Sequence, residues 1–241
     1  MKKIFIWTNI RLVVMIALVI FLYSFTSERN SHRKLKNAEV LFVGDNNNFI
    51  KQETVDKLLI ENKTDVKSIE KVEVNLDKLE KTINKHPMIE KSEVCVSVDG
   101  VLKAVVYQKK PIARFFNDYG SFYIDYEGNK MPLSNNYTAR VPIVSGQINN
   151  KNRKNLSDLL KMIYNDDFLK KNIIGIQILP DQSLIMANRN FNYEIEFGKI
   201  MNVEKKFKDY KAFFQKAILD STLYKYKKIN LRFTPQVVCT K

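Results

Sequence analysis

The side chains that could carry acid–base or metal chemistry are few in this chain and stand far apart. Two histidines occur among the 241 residues, His32 and His86, and neither has a credible nucleophile beside it. The two carboxylate pairs that most invite an acid–base or metal role are Asp125 with Glu127 and Asp166 with Asp167. No companion ligands follow them at a useful spacing, and both pairs fall at predicted turns or helix ends. We therefore predict structural roles for these groups, no metal or cofactor, and no enzymatic activity.

Cysteine and glycine usage adds no further chemistry. Cys95 and Cys239 are distant in sequence and neither belongs to a CxxC pair, so we predict two unpaired thiols. The seven glycines do not gather into a phosphate-binding loop.

The charge balance is strongly basic, with 40 Lys+Arg against 26 Asp+Glu and a formal net charge of +14. Such a charge suits a nucleic acid or an anionic membrane surface. The basic residues are spread along the whole chain, however, and no zinc-ligand spacing or RNA-binding signature accompanies them. This distribution favours a solvated basic surface without a specific nucleic-acid partner.

The N-terminal segment has the composition of a membrane span. Residues 4–25 are predominantly apolar, and 22 residues of helix reach about 33 Å, enough to cross a bilayer. Arg11 lies close enough to one end to reach the interface, and Trp7 and Tyr23 suit the two headgroup regions. A cleaved signal peptide is the rival interpretation, although no clean A-x-A site follows. We predict a tail at 1–3, an uncleaved anchor at 4–25 and a polar linker at 26–38.

The next 75 residues predict a small α+β unit, 39–113. A strand at 39–43 precedes a first helix, and Asn75 is a plausible N-cap for a second helix that Pro87 ends. Two strands joined at Asp99–Gly100 then form a hairpin. The predicted order is therefore β-α-α-β-β.

A second unit, 114–241, predicts a mixed β domain with two helices. A hairpin turns near Gly128, and residues 140–146 are predicted to form a short strand in which Pro142 suits an edge position. Three strands lie within 173–198, and helices are predicted near 156–163 and 203–218.

The chain ends in a pattern of alternating residues that predicts an ordered strand. Three apolar side chains, Ile229, Leu231 and Phe233, alternate with the polar residues Lys228, Asn230 and Arg232. We expect the apolar set to pack on the core and the polar set to face water. Pro235 then ends the pairing, as at an edge strand.

Taken in order, these features resemble the bacterial cell-division family FtsQ/DivIB. The likeness covers the whole architecture of tail, anchor, linker, POTRA domain and β domain. The stretches that carry it are "NLDKLEKTINKHPMIEKSEV" (75–94), "YQKKPIARF" (107–115), "FYIDYEGNKMPLS" (122–134), "EFGKIMNVEKKFKDYKAFF" (196–214) and "YKKINLRFTPQVV" (226–238). No single stretch is very specific, whereas the ordered set is.

The resemblance implies a non-enzymatic scaffold that links early and late septal proteins. Such proteins sit in the cytoplasmic membrane with the N-terminus in the cytoplasm and most of the chain outside, at the division septum. They bind the bitopic FtsB-like and FtsL-like proteins, and the POTRA domain recruits other septal proteins. A partner segment is expected to add a strand to the C-terminal edge. By position in the motif, the contact residues are Lys227, Lys228, Ile229, Asn230, Leu231 and Arg232.

Two other interpretations stay open at this point. One is a secreted basic protein or enzyme released by signal-peptide cleavage, and the other is a basic protein bound to nucleic acid or anionic lipid. The lysines and Pro235 are also compatible with ordinary protection of an edge strand that has no partner.

Overall fold

A computed structural model describes residues 2–31, 33–44, 49–60, 67, 69–117, 120–148, 152–233 and 236–241. His32 and Pro235 lie outside these residues. The chain forms two compact units, Met1–Gln108 and Lys109–Lys241. The division falls before the boundary at 113 that the sequence suggested, because strand β4 begins at Pro111 and belongs to the larger sheet.

The chain begins with one long helix, α1 (Lys2–Ser31). Its stretch Asn9–Asn30 is long and apolar enough to cross a membrane, and its described side chains are all exposed. The guanidinium carbon of Arg11 lies 5.5 Å from the centre of the Trp7 ring, which keeps that charge close to an aromatic surface.

The segment 26–38 is not the free linker that its polar composition suggested. Helix α1 continues to Ser31, because Glu28 and Arg29 are good helix formers and nothing in the sequence ends the helix earlier. Leu35 is only 2% exposed and joins the core of the first unit, and strand β1 begins at Asn37.

The first unit has the predicted β-α-α-β-β order. Its elements are β1 (Asn37–Val43), α2 (Gln52–Ile60), α3 (Leu76–Asn84), β2 (Ile89–Val96) and β3 (Val101–Gln108). Over the described residues the strands form a sheet of order β1-β3-β2, parallel between β1 and β3. The side chain of Asn75 accepts a hydrogen bond from the backbone of Lys78 and so caps α3, as its position predicted.

The second unit is built on a large mixed sheet. Its strands are β4 (Pro111–Asn117), β5 (Gly120–Asp125), β6 (Lys130–Met131), β7 (Ile143–Gly146), β8 (Ile173–Ile178), β9 (Leu184–Asn188), β10 (Glu194–Gly198), β11 (Lys228–Asn230) and β12 (Val238–Thr240). Over the described residues their order is β12-β11-β10-β9-β8-β7-β4-β5-β6. Strand β7 therefore lies inside the sheet, and the edge position predicted for Pro142 is wrong, since this proline precedes the strand and interrupts no ladder bond within it.

The helices of the second unit supply much of its core. The two predicted helices are α4 (Arg153–Asn165) and α6 (Val203–Leu219), and a short third helix, α5 (Asp167–Asn172), follows α4. Leu159, Leu160 and Tyr210 project from α4 and α6 and are at most 1% exposed. This core is separate from that of the first unit, so each unit has the apolar interior that an independent domain requires.

Candidate functional site: the C-terminal edge of the larger sheet

The residues predicted to contact a partner lie on and beside strand β11, which has a neighbouring strand on each side. Strand β11 pairs in parallel with β10 and antiparallel with β12. The C-terminal strand at the edge of the sheet is therefore Val238–Thr240, and the segment 227–232 lies one strand further in.

Of the three apolar side chains predicted to pack on the core, two are buried and one is not. Ile229 is fully buried and Leu231 is 2% exposed, and both belong to the core of the second unit. The inward position predicted for Phe233 is wrong, because that side chain is 53% exposed. The strand stops at Asn230, whose side-chain oxygen accepts a hydrogen bond from the backbone N–H of Arg232 at 2.9 Å and turns the chain away.

The polar half of the pattern converges on one carboxylate of β10. Glu196 lies 3.4 Å from the Lys228 ammonium, 3.1 Å from the Asn230 amide nitrogen and 3.7 Å from the Arg232 guanidinium. Lys228 also lies 3.9 Å from Glu194. These side chains are thus arranged by neighbours on the same sheet, and their positive charge is partly balanced within the protein.

Gly198 makes room for this cluster. A Cβ at that position would lie 2.9 Å from the Cγ of Arg232, and the backbone φ of +73° is one that glycine adopts without strain. The stem of Arg232 can therefore cross β10 closely while its guanidinium approaches Glu196.

Lys227 acts through its backbone. Its N–H donates to the carbonyl of Thr240 at 2.8 Å, and its carbonyl accepts from the N–H of Glu194 at 2.9 Å. Lys227 therefore bridges β12 and β10 at the start of β11, while its side chain is exposed.

One residue of β12 turns its backbone N–H and C=O groups toward the open edge of the sheet. The N–H of Leu231 donates to the carbonyl of Glu196, so within β11 Ile229, two residues earlier, also turns its backbone toward β10. Lys228 and Asn230 must then turn theirs toward β12, where they face Thr240 and Val238. By the same alternation, the N–H and C=O of Cys239 point to the side of β12 where the described residues place no further strand.

Cys239 has a partly buried thiol and an outward-facing backbone. The side chain packs against the core cluster, and burial raises the pKa of the thiol. Neither Cys239 nor Cys95 forms a disulfide. The residue thus ties the edge strand to the core through its side chain and leaves its backbone available.

The predicted site omitted three contributors: Glu194, Glu196 and strand β12. The first two alternate with Ile195 and Phe197, which are at most 1% exposed, so their outward direction could have been inferred from period two. Strand β12 has only three residues, too few for a convincing alternation.

The carboxylate pairs singled out in the sequence serve local structure. Asp125 is buried, accepts from the N–H of Asn129 at 2.7 Å and lies 3.2 Å from the Lys109 ammonium. Asp166 caps α5 through the N–H of Leu169 and pairs with Lys211. Burial opposes the ionisation of Asp166, but these hydrogen bonds outweigh it and hold its pKa below the usual range. Within the described residues, no group of three potential metal ligands occurs.

A buried polar network joins α6 to the β9–β10 turn. The hydroxyl of Tyr210 lies 2.8 Å from that of Tyr193 and accepts from the Asn188 amide at 3.0 Å. The Asn188 oxygen accepts from the N–H groups of Asn190 and Phe191. Burial raises the pKa of both tyrosines, so both hydroxyls stay protonated and act as structural hydrogen-bonding groups.

The fold and the sequence comparisons together define a class of protein. An apolar helix able to span a membrane precedes a three-stranded α+β unit and a larger mixed sheet. Residues 43–107 match the family model described as a POTRA-like domain, and residues 110–240 match the model described as FtsQ/DivIB, C-terminal related.

The second match covers more than half of the chain, and the chain belongs to the FtsQ/DivIB family of cell-division proteins. The resemblance seen in the sequence is thereby confirmed, as is the α+β fold class. A solved structure that the chain resembles is the major extracytoplasmic domain of the trans isomer of the bacterial cell-division protein DivIB from Geobacillus stearothermophilus. That match has 15% identity and a TM-score of 0.33, and covers 47% of this chain and 95% of that one. No curated protein sequence matches.

Proposed function

We propose that this cell-division protein is a non-enzymatic scaffold that binds FtsB-like and FtsL-like bitopic partners at the open edge of β12. Anchored in the cytoplasmic membrane by α1, with its N-terminus in the cytoplasm, it links early and late septal proteins at the division septum. Its POTRA unit recruits other septal proteins. Family membership supports the division role, and the outward backbone of Cys239 is the single observation that carries the proposed docking edge.

A partner strand paired with β12 would continue the sheet. Each main-chain hydrogen bond adds a net contribution of about 0.5–1.5 kcal/mol, and β12 offers few of them. Side chains must therefore supply much of the affinity. The side chains of Lys227 and Arg232 are exposed nearby. The Arg232 guanidinium lies 3.7 Å from the Glu196 carboxylate, too far for a short hydrogen bond, so acidic residues of a partner can still approach both cations.

The docking edge is tested by replacing Cys239 with proline and measuring co-purification of FtsB-like and FtsL-like proteins with the full chain. Proline removes the N–H that points to the open edge and leaves the inward-facing N–H groups of Val238 and Thr240 in place. We expect the partners to be lost, since the added strand loses a central bond. Cys239→Ala is the matched control, because it removes the thiol and keeps the N–H.

The far-ultraviolet circular dichroism of both variants must match that of the wild type. Partner retention by a folded Cys239→Pro variant equal to that of Cys239→Ala would exclude β12 as the docking edge. Absence of division partners from the wild-type membrane complex would instead contradict the scaffold function itself.

A further inference from the structure

The segment that follows the membrane helix is fixed to the first unit by backbone hydrogen bonds. The N–H of Leu35 donates to Ile69 at 3.0 Å, and the N–H of Lys36 donates to Gly100 at 2.8 Å. The carbonyl of Arg33 accepts from the N–H of Lys71 at 2.9 Å. The basic side chains of this segment are therefore held at defined positions on one end of the unit.

Gly100 permits this close attachment. A Cβ there would lie 3.0 Å from the carbonyl oxygen of Lys34, and its φ of +86° favours glycine. The β2–β3 turn thus rests against the segment, and Val98 at its tip is 76% exposed. An apolar side chain projects into solvent beside the basic segment.

Three lysines surround one shallow depression at this end. Lys34, Lys36 and Lys67 line it, together with Leu35, Asn37 and Val101. Among the described residues, the nearby carboxylates include Glu70, which faces Lys34 across a backbone bridge, Glu39, which accepts a hydrogen bond from Asn37, and Asp99 in the turn. With Arg33 also exposed, the four cations named here outnumber these three carboxylates. The depression therefore suits a negatively charged group.

The depression lies next to the membrane because of chain length alone. The candidate span ends at Asn30, and Lys34 follows four residues later. Four residues reach no more than about 14 Å even when fully extended. Exposed charges interact over about 8 Å at physiological salt, so Lys34 lies within about two screening lengths of the end of the span.

We propose that this end of the first unit, formed by Arg33, Lys34, Lys36 and Lys67 with Val98 beside them, docks on anionic phospholipid headgroups of the membrane that holds α1. The lysines bind headgroup phosphates, as juxtamembrane basic clusters do, and Val98 enters the interface. This contact orients the POTRA unit on the membrane and is separate from the partner edge of β12.

The test measures amide hydrogen exchange of residues 33–37 and 97–101 in full-length protein held in lipid nanodiscs. One set of discs contains phosphatidylcholine alone, and the other also contains phosphatidylglycerol. We expect slower exchange of both segments in the anionic discs, and loss of that protection in the variant K34Q/K36Q/K67Q. Added salt should reduce the protection of the wild type, because it screens exposed charges.

A matched control carries the same loss of charge at the opposite end of the unit. The variant K81Q/K85Q/K91Q changes lysines near the end of the sheet where Ile89 pairs with Gln108, and it should keep the protection. Equal exchange of the wild type in both discs, or equal loss in both variants, would overturn the proposal. Protection by inorganic phosphate in phosphatidylcholine discs would also overturn it, since the depression would then be a phosphate site.

Discussion

At the scale of single residues, the second unit depends on a polar network that no sequence pattern reveals. Tyr210 is fully buried, and its hydroxyl serves both Tyr193 and Asn188. Asn188 in turn holds the N–H groups of the following turn, so one hydroxyl on α6 fixes the geometry between β9 and β10. Strand β10 also carries Glu196, so the network helps to position one of the strands that form the candidate site.

Replacing Tyr210 with phenylalanine should destabilise the second unit by about 2 kcal/mol, because two buried polar groups lose a partner. Tyr193→Phe is the matched control and should cost about 1 kcal/mol, since Tyr210 can still accept from Asn188. Urea unfolding of the full chain in detergent, followed by tyrosine near-ultraviolet circular dichroism, measures both. Equal free energies of unfolding for the two variants would contradict the central role of the Tyr210 hydroxyl in the network.

At the scale of elements, the relation between β11 and β12 determines where a partner can bind. The alternation of Lys228, Ile229 and Asn230 predicts a strand and its faces, but it carries no information about neighbouring strands. Strand β12 covers the backbone of β11 and presents Cys239 at the open edge in its place. The cations of the predicted contact region remain beside that edge.

Ending the chain after Pro235 should abolish partner co-purification, because it removes β12 and with it the proposed docking edge. The core residues Ile229 and Leu231 stay in place, so we expect the helical and sheet content to change little. Partner recovery from membranes, normalised to the amount of scaffold, is the measurement. Undiminished or increased recovery would show that a partner strand pairs with β11 in the position of β12.

At the scale of the whole molecule, one apolar helix carries two units that each have their own core. Membership of a division-protein family together with this helix indicates single-pass membrane anchoring. The basic residues on both sides of the apolar stretch leave its orientation open, since lysine and arginine counts alone do not distinguish the two sides.

The orientation can be read from the chain's own thiols. Cys95 is exposed on β2, whereas Cys239 is partly buried with a raised pKa, so a maleimide should label Cys95 much faster. With the first unit outside the cytoplasm, a membrane-impermeant maleimide should label intact spheroplasts. A Cys95→Ser variant is the control. Labelling that requires lysis would contradict the proposed orientation.

The same preparation tests whether α1 is retained. Mass spectrometry of the membrane fraction should find the full 28.2 kDa chain. A shorter chain that begins after the apolar stretch would show that this segment is a cleaved signal peptide.

The sequence by itself determined the longer helices, most of the strands and their order, although not β4, α5 or β12. These features depend on local periodicity and on single residues that end or cap a helix. The apolar run of α1, the cap at Asn75 and the hairpin at Asp99–Gly100 are all short-range signals. The burial of Ile229 and Leu231 also followed from local alternation.

Only the tertiary structure decided which strands are neighbours and which backbone is left open. The pairing of β11 with β10 joins residues that are distant in sequence. Strand β12 is closer to β11 along the chain, but its three residues form too short a pattern to predict a strand. The attachment of Arg33–Lys36 to Ile69 and Gly100 was hidden for the same reason, since polar residues in an apparent linker give no sign of distant backbone partners. Long-range hydrogen bonds between backbones carry no residue signature, and both the proposed edge and the proposed lipid contact depend on them.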